Sequence, residues 1–338
     1  MIPLTEMRAS NARISTALPE GLVGVFVGAT RGIGATSVKQ FAKNARKPRV
    51  YIIGRSLASA QEVIDECKAL NSEGDYVFMA ADVSLIHNVD EVCREVSKKE
   101  QAINLLFMTP GTLTMKTETS EKLHYAAALN YYSRTRFILQ LLPLLQAASH
   151  LRRVVTVFAG TKEGAVDTSD FPGWKASLIS ARGHFCSMIT FSLEILAKKA
   201  PEVSFMHVYP GPVKTDLGKD MGGIGMKAFG AVFSLVAPLF CIPFDEAGER
   251  ETFLATSGRY PPRTVRDAQG VPLSSSNEVA KGTDGKTGTG VYSVGYDGSV
   301  LSDATVKLLA KLREEGVPER LWDHTEREFK RVTIGSGA

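Results

Sequence analysis

Short apolar runs rich in β-branched residues alternate along this chain with longer segments whose apolar positions recur every three or four residues. The runs Leu22 to Val27, Val50 to Ile53, Val77 to Ala80, Leu105 to Met108, Val154 to Phe158, Val203 to Val208 and Val291 to Tyr296 have strand length. Between them, Ala35 to Asn44, Ala58 to Leu70, Val89 to Lys99, His124 to Leu145, Ser177 to Lys199 and Glu246 to Thr256 carry helical spacing. Such alternation is the pattern of βαβ units. The expected fold is α/β: a doubly wound, Rossmann-like parallel sheet with helices on both faces, in a single domain.

No internal repeat interrupts this pattern, and 257–286, rich in Pro, Gly, Ser and charge, reads as a surface excursion before the last strand. Residues 303–330 show helical spacing with mixed charge and are expected to pack on the outside. The organisation read from the chain is a catalytic domain over 1–300, including a lid at about 216–245, and a C-terminal helical extension over 301–338.

Composition narrows the function class. At 338 residues with 44% hydrophobic and 22% charged positions, the chain can bury a core without metal or disulfide staples. Lysine plus arginine is 40 against 36 acidic residues, a formal charge of +4, too small for an electrostatic nucleic-acid footprint. Cys67, Cys93, Cys186 and Cys241 are scattered with no C-x-x-C pair, which predicts buried thiols in a reducing compartment and no metal site. The first fifteen residues lack a long apolar run and carry both signs of charge, so a cytoplasmic location is expected. Ala228 to Phe244 is uncharged but short for a membrane span and broken by Pro238 and Pro243. It reads as buried or as a lid.

After the first strand comes Gly28-Ala29-Thr30-Arg31-Gly32-Ile33-Gly34, then a helix. Glycines there let the backbone approach a pyrophosphate, and the helix start supplies unpaired amides and a positive dipole end. The second strand ends in Gly54-Arg55-Ser56, where a protein that reads a ribose 2′-hydroxyl would place an acid. Arg55 and Arg31 are suited instead to a 2′-phosphate, so NADP is the expected cofactor.

With these residues in view the sequence resembles the short-chain dehydrogenase/reductase family, from about Leu22 to Tyr296. Gly28, Gly32 and Gly34 match its glycine turn, Asp82-Val83 its adenine-holding pair, and Thr109-Pro110-Gly111 stands where it has N-A-G. Asn130 matches its helix asparagine, and Tyr209-Pro210-Gly211-Pro212-Val213-Lys214-Thr215 resembles its nicotinamide segment, with Thr215 at the carboxamide position. Ala-Leu-Asn-Tyr-Tyr-Ser-Arg and Ala-Arg-Gly-His resemble a fungal subgroup associated with secondary metabolism. The resemblance implies hydride transfer in which a tyrosine gives the proton, a lysine tunes it and a serine steadies the substrate.

The chain departs from that pattern at the reacting end. The serine position falls on Ala159, with Thr161 as the nearby hydroxyl. Counting back along the helix puts the tyrosine at Ala176 or Ser177 and the lysine at Ser180 or Ala181, and no tyrosine lies between Phe158 and Glu194. Helical spacing places Ser177, Ser180 or Ala181, and His184 on one face, so the expected proton donor is His184, a neighbouring hydroxyl or water, with Arg182 able to supply positive charge; the competing reading is a satisfied core or interface His184 and a structural Arg182. Tyr131 and Tyr132 are the alternative donors or core residues.

After the sixth strand, Met221 to Met226 and the apolar Ala228 to Phe244 stretch predict a greasy cover for a bulky hydrophobic substrate, such as a polyketide or terpenoid. An oligomer interface or peripheral membrane contact competes for that stretch. Three functions follow: an NADPH-dependent ketoreductase, a non-redox dehydratase, isomerase or cyclase on the same fold, or a silent partner protein.

Overall fold

A computed structural model describes residues 1–213, 241–264, 268–274 and 278–335. Its frame is a seven-stranded sheet in the order β3-β2-β1-β4-β5-β6-β7, with every neighbouring pair parallel. The strands are β1 (Val23–Val27), β2 (Arg49–Gly54), β3 (Asp75–Ala80), β4 (Leu105–Met108), β5 (Arg153–Val157), β6 (Ser204–Tyr209) and β7 (Val291–Gly295). Each lies within two residues of the run that predicted it. A parallel sheet covered on both faces demands apolar side chains on both, which is why these runs are nearly uninterrupted. In β1, Val25 and Val27 enter one core layer and Phe26 the other.

One face carries α1 (Leu4–Ala12), the single turn α2 (Ile14–Ala17), α3 (Gly32–Asn44), α4 (Leu57–Leu70) and α9 (Phe244–Thr256). The other carries α5 (Ile86–Lys99), the short α6 (Tyr125–Ala127), a π-helical turn over Ala128–Tyr132, α7 (Ser133–Ala147) and α8 (Leu178–Lys199). Packed over these are α10 (Asp303–Glu314) and α11 (Val317–Gly335). The strand order reverses between β1 and β4, so a crevice opens at the carboxyl edge where connections leave for opposite faces.

Two expectations change. The C-terminal segment is a helix pair broken at Gly316, whose φ of +68° suits a residue without a Cβ. It also does more than lie outside. Leu321, Trp322, Phe329 and Val332 join the same core as α8, each such burial contributing roughly 1.5–3 kcal/mol, and the Tyr131 hydroxyl meets Thr325 Oγ1 at 2.8 Å.

The polar 257–286 stretch is not a solvated excursion: Tyr260, Val271 and Ala280 are buried in it. Its anchor is the fully buried Arg153 at the start of β5, whose guanidinium donates to the carbonyls of Leu254 (3.0 Å), Ser257 (3.1 Å) and Gln269 (3.1 Å). Burial lowers that guanidinium to about 10. Helix α1, which the sequence pattern did not announce, docks on α9 through the Arg8–Glu249 ion pair and Asn11 Nδ2 donating to the Glu249 carbonyl at 2.8 Å.

All four cysteines are free, with Cys67, Cys93 and Cys186 buried and Cys241 half-buried. Among the described residues no helix is long and apolar enough to cross a membrane. Thr215 and most of the lid segment, including 228–240, lie outside the described residues.

Candidate active site

The glycine turn joins β1 to α3 at the crevice. Gly28 has φ +76°, and a Cβ on it would sit 2.8 Å from Thr109 Oγ1. A Cβ on Gly34 would stand 2.6 Å from the Gly28 carbonyl oxygen, so the helix start can lie this close to the turn only with glycine there. Thr109 Oγ1 pins the turn by donating to the Gly28 carbonyl at 3.0 Å. The first helical bond runs from the Ala35 amide to the Arg31 carbonyl at 3.3 Å. The amides of Thr30, Arg31, Gly32, Ile33 and Gly34 therefore find no acceptor among the described residues. Such a row of free donors on a helix start fits a pyrophosphate.

Beside the turn, Arg31 Nε donates to Ser59 Oγ at 3.1 Å, and Ser56 caps α4 by accepting from the Ser59 amide at 3.3 Å. Arg55 is exposed and borders a cavity of about 440 Å³ that also meets Asp82 and Asn88. Asp82 Oδ1 accepts from the Ser84 amide (3.0 Å), Asn88 Nδ2 donates to the Asp82 carbonyl (3.0 Å), and Val83 is buried behind them. A capped helix start and a cavity at the ends of β2 and β3 fit the adenosine half of a dinucleotide.

Around the other half, Asn130 sits inside the π-helical turn. Its Oδ1 accepts from the Thr112 amide (3.1 Å) and its Nδ2 donates to the Thr112 carbonyl (3.2 Å), which ties down the loop carrying Gly111. Pro210 follows β6, and Val213 bridges to Ile242.

At the end of β5 a polar network lies under the chain turn. The Ala159 amide donates to His207 Nε2 at 3.3 Å, so the proton of this fully buried ring sits on Nδ1, 3.1 Å from Thr190 Oγ1. Burial lowers the His207 pKa and keeps it neutral. Glu163 Oε1 accepts from Ser293 Oγ (2.5 Å) and Thr190 Oγ1 (2.8 Å), while Oε2 has no partner among the described residues. Burial alone would raise this carboxyl, yet hydrogen bonds from His207, Ser293 and Thr190 hold it below its ordinary value. Thr161 has φ +69°, its amide donates to Ser293 Oγ at 2.7 Å, and its own hydroxyl is uncommitted among the described residues.

Buried Arg134 braces the same edge. It donates to the Met108 carbonyl (3.1 Å), Thr156 Oγ1 (2.8 Å) and the Val157 carbonyl (2.9 Å), and burial lowers it to about 9. Sequence reasoning missed this network. The available signal was a charge or imidazole inside an apolar element: His207 in Ser-Phe-Met-His-Val-Tyr, and Arg134 opening α7.

Helix α8 corrects the expected proton donor. Ser177 is an exposed N-cap whose hydroxyl is engaged with Ser180, not a pocket residue. His184 is buried: Nε2 donates to the Phe171 carbonyl (2.9 Å) and Nδ1 accepts from the Asp167 amide (3.2 Å). With both nitrogens tied to backbone and burial lowering its pKa, the ring is a neutral clamp on the 167–171 loop. Two residues earlier, about 200° round the helix, Arg182 faces the strand ends instead, its guanidinium 5.6 Å from the Tyr209 ring centre. Tyr131 and Tyr132 are core residues, their hydroxyls bonded to Thr325 and His324.

Comparison with known proteins places this geometry. A model of the short chain dehydrogenase family matches residues 23–222. The chain is 40% identical over 331 residues to "Oxidoreductase AN1596" of Emericella nidulans, covering 96% of this chain and 97% of that protein. It is 35% identical to "Oxidoreductase andH" of Emericella variicolor, over 98% of both. Among solved structures, the crystal structure of the KRED1-Pglu enzyme superposes with a TM-score of 0.54 at 21% identity, covering 75% of this chain and all of that one, which speaks for the fold alone.

Proposed function

We propose that this chain, which belongs to the short-chain dehydrogenase family of NAD(P)-using oxidoreductases, is an NADPH-dependent ketoreductase acting on a bulky hydrophobic ketone. The observation that carries the cofactor choice is the placing of Arg31 and Arg55 at the capped start of α4, with Arg55 on the cavity beside it. Bound there, the nucleotide would supply a hydride. The chain's own tasks are to hold its phosphates on the Thr30 to Gly34 amides, to seat the 2′-phosphate between two guanidiniums, and to present the carbonyl.

The substrate class rests on what the carboxyl edge exposes. Large apolar side chains are exposed on the connections leaving β4 (Leu113), β5 (Trp174), and β6 (Phe244), and at the start of α8 (Leu178, Ile179). Exposed apolar groups on the segments that follow the strand ends, the side on which ligands bind in such sheets, support an apolar substrate. Thr161, with its free hydroxyl at the end of β5, is the residue we assign to orient the ketone in place of the missing serine.

The test is direct. Purified protein should bind NADPH and oxidise it with a panel of polycyclic and long-chain ketones, giving products two hydrogens heavier. Ala159 at the serine position favours a second reading, a non-redox isomerase or dehydratase with the same substrate taste. An isomeric or dehydrated product with no NADPH consumed would select it.

A further inference from the structure

Reduction of a ketone needs a proton at the carbonyl oxygen as well as a hydride at carbon, and the groups best placed by sequence are already committed. His184 is a backbone clamp, Ser177 a helix cap, and His207 and Glu163 hold each other under the β5 turn. Among the described residues the hydroxyls of Tyr125, Tyr209, Tyr260 and Tyr296 carry no hydrogen bond, and of these Tyr209 is the half-buried one with two cations at its ring. Tyr209, the last residue of β6, is half-buried at the carboxyl edge, and its hydroxyl makes no hydrogen bond among the described residues.

Strand alternation puts Tyr209 on the same face as Phe205 and His207, the face covered by α8. There two cations reach it from separate segments. Lys162 Nζ, from the loop after β5, lies 5.8 Å from the ring centre, and the Arg182 guanidinium, from α8, lies 5.6 Å away. Neither cation has a carboxylate partner among the described residues. Two positive charges at a phenol that no described residue engages are suited to stabilise the phenolate left when its proton departs.

We propose that Tyr209 is the proton donor of this enzyme, with Lys162 and Arg182 as the cations that stabilise its conjugate base. This rests on the ketoreductase reading above. The carbonyl carbon accepts the hydride, the C=O π electrons move to oxygen, and that oxygen takes the Tyr209 hydroxyl proton. The phenolate then recovers a proton from water, so one ketone, one reduced nicotinamide dinucleotide and one proton give one alcohol and the oxidised dinucleotide.

The experiment compares wild type with Tyr209→Phe, which keeps the ring and both cation contacts. The expected result is a fall in kcat of about 100-fold, with nucleotide affinity, measured by fluorescence, within about threefold because the amide turn and arginines carry it. A second readout does not use turnover: nitration of Tyr209, mapped by peptide mass, should be suppressed when NADPH is added. Tyr209→Phe with kcat within twofold of wild type overturns the proposal and leaves the ketoreductase reading standing. Nitration of Tyr209 indifferent to nucleotide overturns it too. A wild type that binds NADPH but reduces no ketone removes the ketoreductase reading and this role together.

Discussion

The two halves of the crevice use polar groups in opposite ways. At the nucleotide half, the turn from Gly28 to Gly34 leaves a row of amides without acceptors among the described residues, Arg31 is exposed with its Nε on Ser59, and Arg55 is exposed. At the reaction half nearly every polar group is already engaged: Glu163, His207, Thr190 and Ser293 bond one another, and Arg134 is consumed by carbonyls at the ends of β4 and β5. Free donors are what a ligand supplies acceptors for. Engaged ones are what hold a backbone still, and among the described residues Thr161, Lys162, Arg182 and Tyr209 are left over, the groups to which the proposed chemistry is assigned.

The largest effect should come from breaking the engaged half. Replacing Glu163 with Ala strands the buried hydroxyls of Ser293 and Thr190 that donate to it, and should cost about 3 kcal/mol of stability in urea unfolding. Its pH dependence has a definite sign. Because the folded carboxyl titrates below its ordinary value, the unfolded chain binds the extra proton in acid. The stabilisation is therefore complete above about pH 4.5 and is lost as pH falls through the folded-state value. Glu163→Gln should flatten that acid-side slope. A variant as stable as wild type from pH 3 to 7 would mean the network is not the brace described.

The open half should respond in binding rather than stability. Gly34→Ala puts a methyl 2.6 Å from the Gly28 carbonyl and 2.8 Å from the Ala29 Cα, contacts with backbone that cannot yield cheaply. The turn must open, and NADPH affinity should fall by roughly 30-fold, about 2 kcal/mol, in fluorescence titration, while far-UV circular dichroism stays that of the wild type. Unchanged affinity would show that the phosphates are held elsewhere.

This contrast also explains how much was legible in the sequence. The strands could be read because a sheet buried on both faces leaves its apolar runs unbroken, and the nucleotide turn because seven consecutive residues make it. Helix α1 could not, since only Met7 and Asn11 of it are buried and no apolar stripe marks it. The burial of 257–286 was hidden because it depends on one arginine, Arg153, more than a hundred residues away in sequence. His184 was misread for a related reason. Helical spacing says which residues share a face, not which face meets the crevice, and here Arg182 has that face.

The smallest expected effect is the sharpest test of the open half. Arg55 is exposed, pairs with no carboxylate among the described residues, and borders the cavity at the ends of β2 and β3. Removing it should leave folding and NADH binding untouched, because neither the amide turn nor Asp82 depends on it. A 2′-phosphate, however, loses a charge-assisted hydrogen bond, with Arg31 remaining as its other partner. Arg55→Ala should therefore lower the preference for NADPH over NADH by about tenfold, near 1.4 kcal/mol on the affinity scale, and adding Arg31→Ala should lower it further. Salt will compress the difference, since both guanidiniums face solvent, so the titration belongs at low ionic strength. Equal losses for both nucleotides would assign Arg55 to the shared pyrophosphate or ribose and leave the 2′-phosphate to Arg31 alone.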